Sequence, residues 1–143
     1  MQLSEAERSV GYLVKRVQQG LRRRCDTALK PTGLSMAQYA TLRALAEHPD
    51  ASAAELARLC FVTRQSLQDM LAGLRAAGLV ATADAPPRGR SRSLALTRLG
   101  SRRLSAAHEA VFGVEAAMLE GVSAREQRSV ADVLARCAQS LEG

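Results

Sequence analysis

The chain has 143 residues, a length typical of one domain, and 47% of them are apolar, which excludes an intrinsically disordered protein. Its formal net charge is +6, and nearly all of the positive charge is arginine because Lys15 and Lys30 are the only lysines. A basic surplus of this size favours a polyanionic partner such as nucleic acid. No apolar run approaches the roughly 20 residues that span a bilayer. The polar N-terminus also lacks the pattern of a signal peptide, so we expect a cytoplasmic protein without a membrane partner.

The residues that could carry catalysis or bind a metal are too scattered to do so. Cys25, Cys60 and Cys137 are odd in number and far apart, which fits neither a disulfide framework nor a zinc site. His48 and His108 have no partner at metal-binding spacing and no nucleophile beside them. We therefore expect no enzymatic activity, no metal and no cofactor.

The first helix is predicted from Ser4 to about Lys30. Ser4 and Glu7 have the spacing of a capping box, in which each side chain satisfies a free backbone N–H of the other. Pro31 and Gly33 end the helix. Apolar residues recur between these points at helical spacing: Val10, Leu13, Val14, Val17 and Leu21.

A second helix is predicted from Ser35 to about Glu47, because Ser35 and Gln38 form another capping box. The residues His48, Pro49 and Asp50 then predict a turn.

The segment 52–78 has the layout of a helix-turn-helix. Ser52 and Glu55 predict the start of a short helix, and Thr63 offers an N-cap for a longer one that Gly78 ends. Phe61 and Val62 interrupt the polar pattern between the two helices. The longer helix has an apolar stripe of Leu67, Met70, Leu71 and Leu74 behind a polar front. The same residues fit an ordinary helical hairpin equally well, so the flanking segments decide between the two.

A hairpin follows, with short strands predicted at 79–82 and 92–96 around a loop rich in proline and glycine. The loop carries Arg88 and Arg90 with no nearby carboxylate except Asp84, so we interpret it as a DNA-contacting wing. Two more helices complete the chain: one from Thr97 to about Glu120, and one that starts with the capping box of Ser123 and Glu126. The predicted fold is mainly α, in the order α-α-α-α-β-β-α-α.

With this order, the whole chain resembles the MarR (multiple antibiotic resistance regulator) family of winged helix-turn-helix transcription factors. The most specific segments are Leu74-x-x-x-Gly78-Leu79-Val80 and Leu96-Thr97-x-x-Gly100. The resemblance implies one domain over 1–143, in which residues 34–100 form the winged helix-turn-helix and residues 1–33 and 101–143 form a dimerisation lobe. It also implies a homodimer that binds a pseudo-palindromic site on double-stranded DNA and acts as a repressor released by a small-molecule effector.

The resemblance implies DNA contacts at Ser52, along the recognition helix and in the wing. The front of the recognition helix carries Arg64, Gln65 and Gln68, which are chemically able to read base edges, whereas Thr63 and Ser66 are as suited to capping or phosphate contact. Asp69 stands where many relatives have arginine, and its carboxylate could instead accept from cytosine or orient a neighbouring arginine. Arg88 stands where relatives commonly have the aspartate that supports the wing-tip arginine, here Arg90. The full set of predicted DNA-binding residues is Ser52, Thr63, Arg64, Gln65, Ser66, Gln68, Asp69, Arg88, Arg90 and Arg92.

Relatives usually respond to a small anionic or aromatic ligand that binds between the dimer lobe and the winged domain. The residues that could line this cleft here are Tyr12, Arg16, Tyr39, Arg43 and His108, each of which also fits core packing or surface charge. Two other functions remain open: a winged-helix module for protein–protein contact, and a thiol-based redox sensor through Cys25. Arg22, Arg23 and Arg24 could lower the pKa of that thiol, although a passive buried thiol fits the position better.

Overall fold

The computed structural model describes residues 2–83 and 94–143, and within them it contains six α-helices and one antiparallel pair of strands. This confirms the predicted mainly helical, winged-helix order. The elements are α1 (Val10–Leu29), α2 (Met36–Glu47), α3 (Ala53–Leu59), α4 (Arg64–Ala76), β1 (Val80–Thr82), β2 (Leu94–Leu96), α5 (Arg98–Met118) and α6 (Ala124–Glu142).

The first long helix begins later than the sequence predicted. The capping box forms, with the Glu7 N–H donating to Ser4 Oγ at 3.2 Å and the Ser4 N–H donating to Glu7 Oε2 at 2.7 Å. It precedes only a single 3-10 turn, because the extended backbone of Ser9 (ψ 151°) interrupts the helix. The Ser9 hydroxyl then caps α1 by accepting from the Tyr12 N–H. At the other end, Gly33 takes the left-handed φ of 75° that ends the following 3-10 turn.

The capping boxes predicted for α2 and α6 are both present. In the capping box predicted for α3, only one of the two hydrogen bonds to backbone N–H groups forms. The Ser52 hydroxyl accepts from the Glu55 N–H but donates to the Glu55 carboxylate at 3.0 Å, so that carboxylate does not cap the Ser52 N–H.

The hydrophobic core lies among α2, α3, α4, β1 and the first half of α5. Leu42, Leu67 and Leu74 are fully buried in it, and Leu29 joins it from the end of α1. By contrast, α6 contributes no buried residue, and Cys137 is exposed in the single chain.

The strands and α5 meet at a tight corner. Val80 pairs with Leu96 in the antiparallel ladder, and the Thr97 hydroxyl donates to the Gly78 carbonyl at 2.7 Å while it accepts from the Gly100 N–H at 3.0 Å. At the far end of β1, the Arg75 guanidinium donates to the Thr82 hydroxyl and ties α4 to the hairpin. The corner thus fixes the base of the hairpin against the end of α4.

Among the residues described, no helix is long and apolar enough to cross a membrane.

Candidate nucleic-acid interface and effector cleft

The longer helix of the helix-turn-helix, α4, is amphipathic. Its inner face is formed by Leu67, Leu71 and Leu74, all of which are buried. The outer face of its first two turns is exposed to solvent and polar, and consists of Arg64, Gln65, Ser66, Gln68 and Asp69. Burial of the leucines holds the helix on the core, so the polar side chains project outward from a fixed support.

The start of α4 is fixed by two hydroxyl groups. The Thr63 hydroxyl accepts from the Ser66 N–H at 3.0 Å and donates to the Ser66 hydroxyl at 3.0 Å. Thr63 is therefore engaged in capping, whereas the Ser66 hydroxyl accepts from Thr63 and still has its own O–H to donate on the exposed front. This agrees with the capping role that the sequence left open for Thr63.

The Asp69 carboxylate is hydrogen-bonded to Gln65 rather than to an arginine. The Gln65 side-chain amide donates to Asp69 Oδ1 at 3.1 Å, one helical turn away. This bond restricts the rotamers of Gln65 and leaves its amide oxygen exposed. The sequence had suggested only that Asp69 orients a neighbouring arginine or accepts from cytosine.

Ser52, another predicted DNA-binding residue, lies apart from this front. Ser52 caps the opposite end of α3 from the turn and bonds to Glu55. Arg88, Arg90 and Arg92 lie outside the described residues, as does the first part of the strand predicted from position 92. The described base of the hairpin is β1 and β2.

A second cluster forms between α2 and α5. The Tyr39 hydroxyl is 2.9 Å from Nδ1 of His108, and the two rings meet edge to face. The His108 ring stacks on Phe112, and the Arg43 guanidinium lies 5.9 Å from the centre of the Tyr39 ring. Burial raises the pKa of Tyr39, so its hydroxyl stays protonated and can donate to the histidine.

A cleft of about 400 Å³ opens beside this cluster, with His108 in its wall. It lies between the end of α2, strand β2 and the first half of α5. Its polar groups come from α5, which contributes Ser101, Ser105 and His108, and the rest of its wall includes Leu45, Pro49 and Leu96. Such a lining, apolar with a few polar groups on one side, is typical of small-molecule sites.

Three of the five predicted effector residues, Tyr39, Arg43 and His108, are thus brought together. Tyr12 and Arg16 are exposed on α1, and within residues 2–83 and 94–143 no hydrogen bond or ring contact joins them to the cluster. Sequence reasoning missed Phe112, Ser101 and Ser105. Their helical spacing from His108 places them on the same face of α5, and this spacing could have predicted that they lie near it.

Cys25 does not have the environment of a reactive thiol. Its side chain is only 3% exposed, and burial raises the pKa of the thiol, with the carboxylates of Asp26 and Glu115 adding to the effect. The suggested lowering of this pKa by the arginine triplet is therefore wrong. A reactive cysteine needs an accessible thiolate, which neither the burial nor the charges provide here.

The short helix α3, the turn, the exposed helix α4 and the hairpin β1–β2 define a winged helix-turn-helix protein. A sequence model of a protein family, described as the MarR family, matches residues 32–91. The HTH-type transcriptional repressor Rv2887 of Mycobacterium tuberculosis is 37% identical over 119 residues, which cover 83% of this chain and 86% of the relative. The chain therefore belongs to the MarR family of transcriptional regulators.

Solved structures agree with this assignment. Rv2887 in complex with salicylic acid matches with a TM-score of 0.72 at 35% identity, over 90% of this chain and 96% of the other. Rv2887 in complex with DNA matches with a TM-score of 0.71 at 33% identity, over 90% of this chain and 97% of the other. The transcriptional repressor CouR, bound to a 23-mer DNA duplex, matches with a TM-score of 0.81 at 26% identity, over 96% of this chain and 98% of the other.

Proposed function

We propose that this protein is a homodimeric transcriptional repressor that binds a pseudo-palindromic DNA site and is released by a small aromatic acid. The observation that carries the proposal is the exposed polar front of α4, held outward by three buried leucines. Arginine and glutamine at this front have the donors and acceptors that read guanine and adenine in the major groove. Such a protein acts on genes, so we place it in the cytoplasm and expect no catalysis.

The complexes of Rv2887 and CouR with DNA support this use of the fold over a purely protein-binding module. The net charge of +6 agrees with a polyanionic partner. Within the site we assign base reading to Arg64, Gln65 and Gln68. Phosphate contact is assigned to Ser52 and Ser66, and minor-groove and backbone contact to Arg88, Arg90 and Arg92.

We infer the dimer from the apolar surface that the single chain leaves exposed. One stripe lies on α6 and includes Val133 and Leu134, and another lies on the first half of α1. Exposed apolar stripes of this kind mark an interaction site, and a second copy of the chain offers a self-complementary partner. We accordingly propose residues 1–33 and 101–143 as the dimerisation lobe and residues 34–100 as the DNA-binding part.

For the effector we propose the cleft beside Tyr39 and His108. The apolar wall of the cleft, which includes Leu45 and Leu96, suits a flat ligand, and the second ring nitrogen of His108 suits its carboxylate. Tyr39 and Phe112 contact the His108 ring and hold it in place. That Rv2887 binds salicylic acid supports this class of ligand. The cleft touches β2, so a ligand there could shift the wing relative to α4.

The proposal is tested by selecting duplexes from a random-sequence DNA pool with the purified protein, and then titrating salicylic acid into the complex. We expect selection of a pseudo-palindromic sequence and release by the acid. In a His108→Ala variant, release should need more acid while the DNA affinity without acid stays the same. Failure to select any sequence at low salt would refute the repressor, whereas selection without release would refute only the effector.

A further inference from the structure

Phe61, in the turn between α3 and α4, is unusual in two independent ways. Its side chain is 94% exposed, the most exposed large apolar side chain among the residues described. Its φ of 57° is also left-handed, and every other residue with a positive φ in the described ranges is a glycine. An aromatic residue adopts this conformation only at an energetic cost.

Neither feature helps the chain to fold. The turn is closed by backbone bonds from the Phe61 N–H to the Arg58 carbonyl and from the Val62 N–H to the Ala57 carbonyl. A glycine could make both of these bonds without strain, and a polar residue would avoid the exposed ring. A residue that violates two local rules without a compensating contact is expected to serve function.

The position of Phe61 indicates which surface it serves. It lies two residues before the Thr63 cap and three before Arg64, so the chain holds its Cα within about 11 Å of the Cα of Arg64. The elements that α3 mainly packs against are α2 and α4, which belong to the helix-turn-helix part of the chain. From this closeness along the chain and its exposure, we infer that the ring borders the polar front of α4.

We propose that Phe61 is a base-reading residue that contacts the C5-methyl group of a thymine at the edge of each half-site. The inference rests on the proposed DNA-binding function. Phenylalanine is one of the side chains that recognise thymine in the major groove by apolar contact with this methyl group. An aromatic ring on a short, strained turn also presents apolar surface with little side-chain freedom to lose on binding.

The test uses the tightest duplex selected from a random-sequence pool by the wild-type protein. Each thymine in it is replaced, one at a time, by deoxyuridine, which lacks only the methyl group. We expect one substitution per half-site to weaken wild-type binding at least about fivefold, the lower end for the loss of one base-pair contact. Phe61→Gly removes the contact from both half-sites of the dimer, so it should bind the thymine duplex more weakly by about the square of that factor, and should no longer distinguish that thymine from uracil.

Two further measurements separate recognition from folding. Glycine adopts the left-handed φ without strain, so the Tm of Phe61→Gly should equal or exceed that of the wild type. Phe61→Leu, which stays apolar, should keep part of the preference for thymine over uracil. Unchanged binding by Phe61→Gly, or the same uracil effects in both proteins, would overturn the inference, and so would a lowered Tm. If the wild-type protein selects no sequence, the proposed function itself fails.

Discussion

Gly100 and Leu79 approach each other so closely that a Cβ atom on Gly100 would lie 2.0 Å from the Leu79 carbonyl oxygen. That oxygen also accepts from the Thr97 N–H at 3.0 Å, so it cannot move without disturbing the corner of the hairpin. The contact explains physically why Leu96-Thr97-x-x-Gly100 follows Gly78-Leu79 in this fold.

Gly100→Ala should therefore destabilise the protein. Overpacking of this kind costs about 1–3 kcal/mol, measured as the free energy of unfolding in urea. The matched control is Gly73→Ala in α4, where a Cβ would meet nothing within 4 Å. That change should leave stability equal or raise it, by up to about 1 kcal/mol, because alanine is the better helix former. Equal effects of the two variants would show that the close approach is not maintained in solution.

Much of the fold could be predicted from the sequence because its signals are local. Caps such as Ser35 and Thr63, and the apolar spacing in α4, depend on residues only a few positions apart. The start of the first helix was predicted wrongly. The capping box of Ser4 and Glu7 does form, but the long helix begins only after Ser9. The sequence alone does not show which of the two serines caps the long helix.

The functional sites were less predictable because they depend on long-range contacts. Tyr39 and His108 were each candidates, but their hydrogen bond spans 69 positions and needs α5 to pack on α2. The left-handed turn at Phe61 was also beyond prediction, since glycine is the residue that indicates such a turn and none is present there.

Removing the Asp69 carboxylate should make DNA binding tighter but less selective. Asp69→Ala deletes a negative charge from the surface that we propose faces the DNA, and it frees the Gln65 side chain from its hydrogen bond of 3.1 Å to Asp69. We expect affinity for unrelated DNA to rise, and the preference at the base pair read by Gln65 to fall by at least about fivefold. Binding to the selected duplex and to a scrambled one gives both values.

The matched control for charge is Asp132→Ala, which removes an exposed carboxylate from α6. It should raise affinity for both duplexes slightly and leave their ratio unchanged. Identical ratios for the two variants would show that Asp69 acts only through net charge.

A charge in the apolar stripe of α6 should dissociate the proposed dimer. Val133→Asp places a carboxylate where a second chain would have to bury it, which is costly without a partner charge. Sedimentation at micromolar protein should show a particle of half the mass, with weakened binding to the selected duplex. Ala135→Asp, on the other side of α6, should remain dimeric. If Val133→Asp keeps the wild-type mass, the stripe is not the dimer interface.

Cys25 should be inert while the protein is folded. The thiolate is the reactive form, and a raised pKa leaves less thiolate at any given pH, so labelling of Cys25 should require a pH above the ordinary range for a thiol. In a variant with Cys60→Ser and Cys137→Ser, a maleimide should label Cys25 at pH 7.5 only after urea unfolds the chain. Dilute peroxide should leave DNA binding unchanged. Rapid labelling in the folded state, or release of DNA by peroxide, would revive the redox-sensor interpretation.

Base reading by the exposed front of α4 is tested most sharply by comparing wild type with Gln68→Ala on a panel of single-base variants of the selected duplex. We predict that the wild-type protein loses affinity at several positions of each half-site, by about 1–3 kcal/mol per substituted base pair. Gln68→Ala should lose its preference at one of those positions only, while its salt dependence stays the same because no phosphate contact is removed. A wild-type protein that binds all of the duplexes equally, or a Gln68→Ala variant with the full wild-type pattern of preferences, would contradict the account.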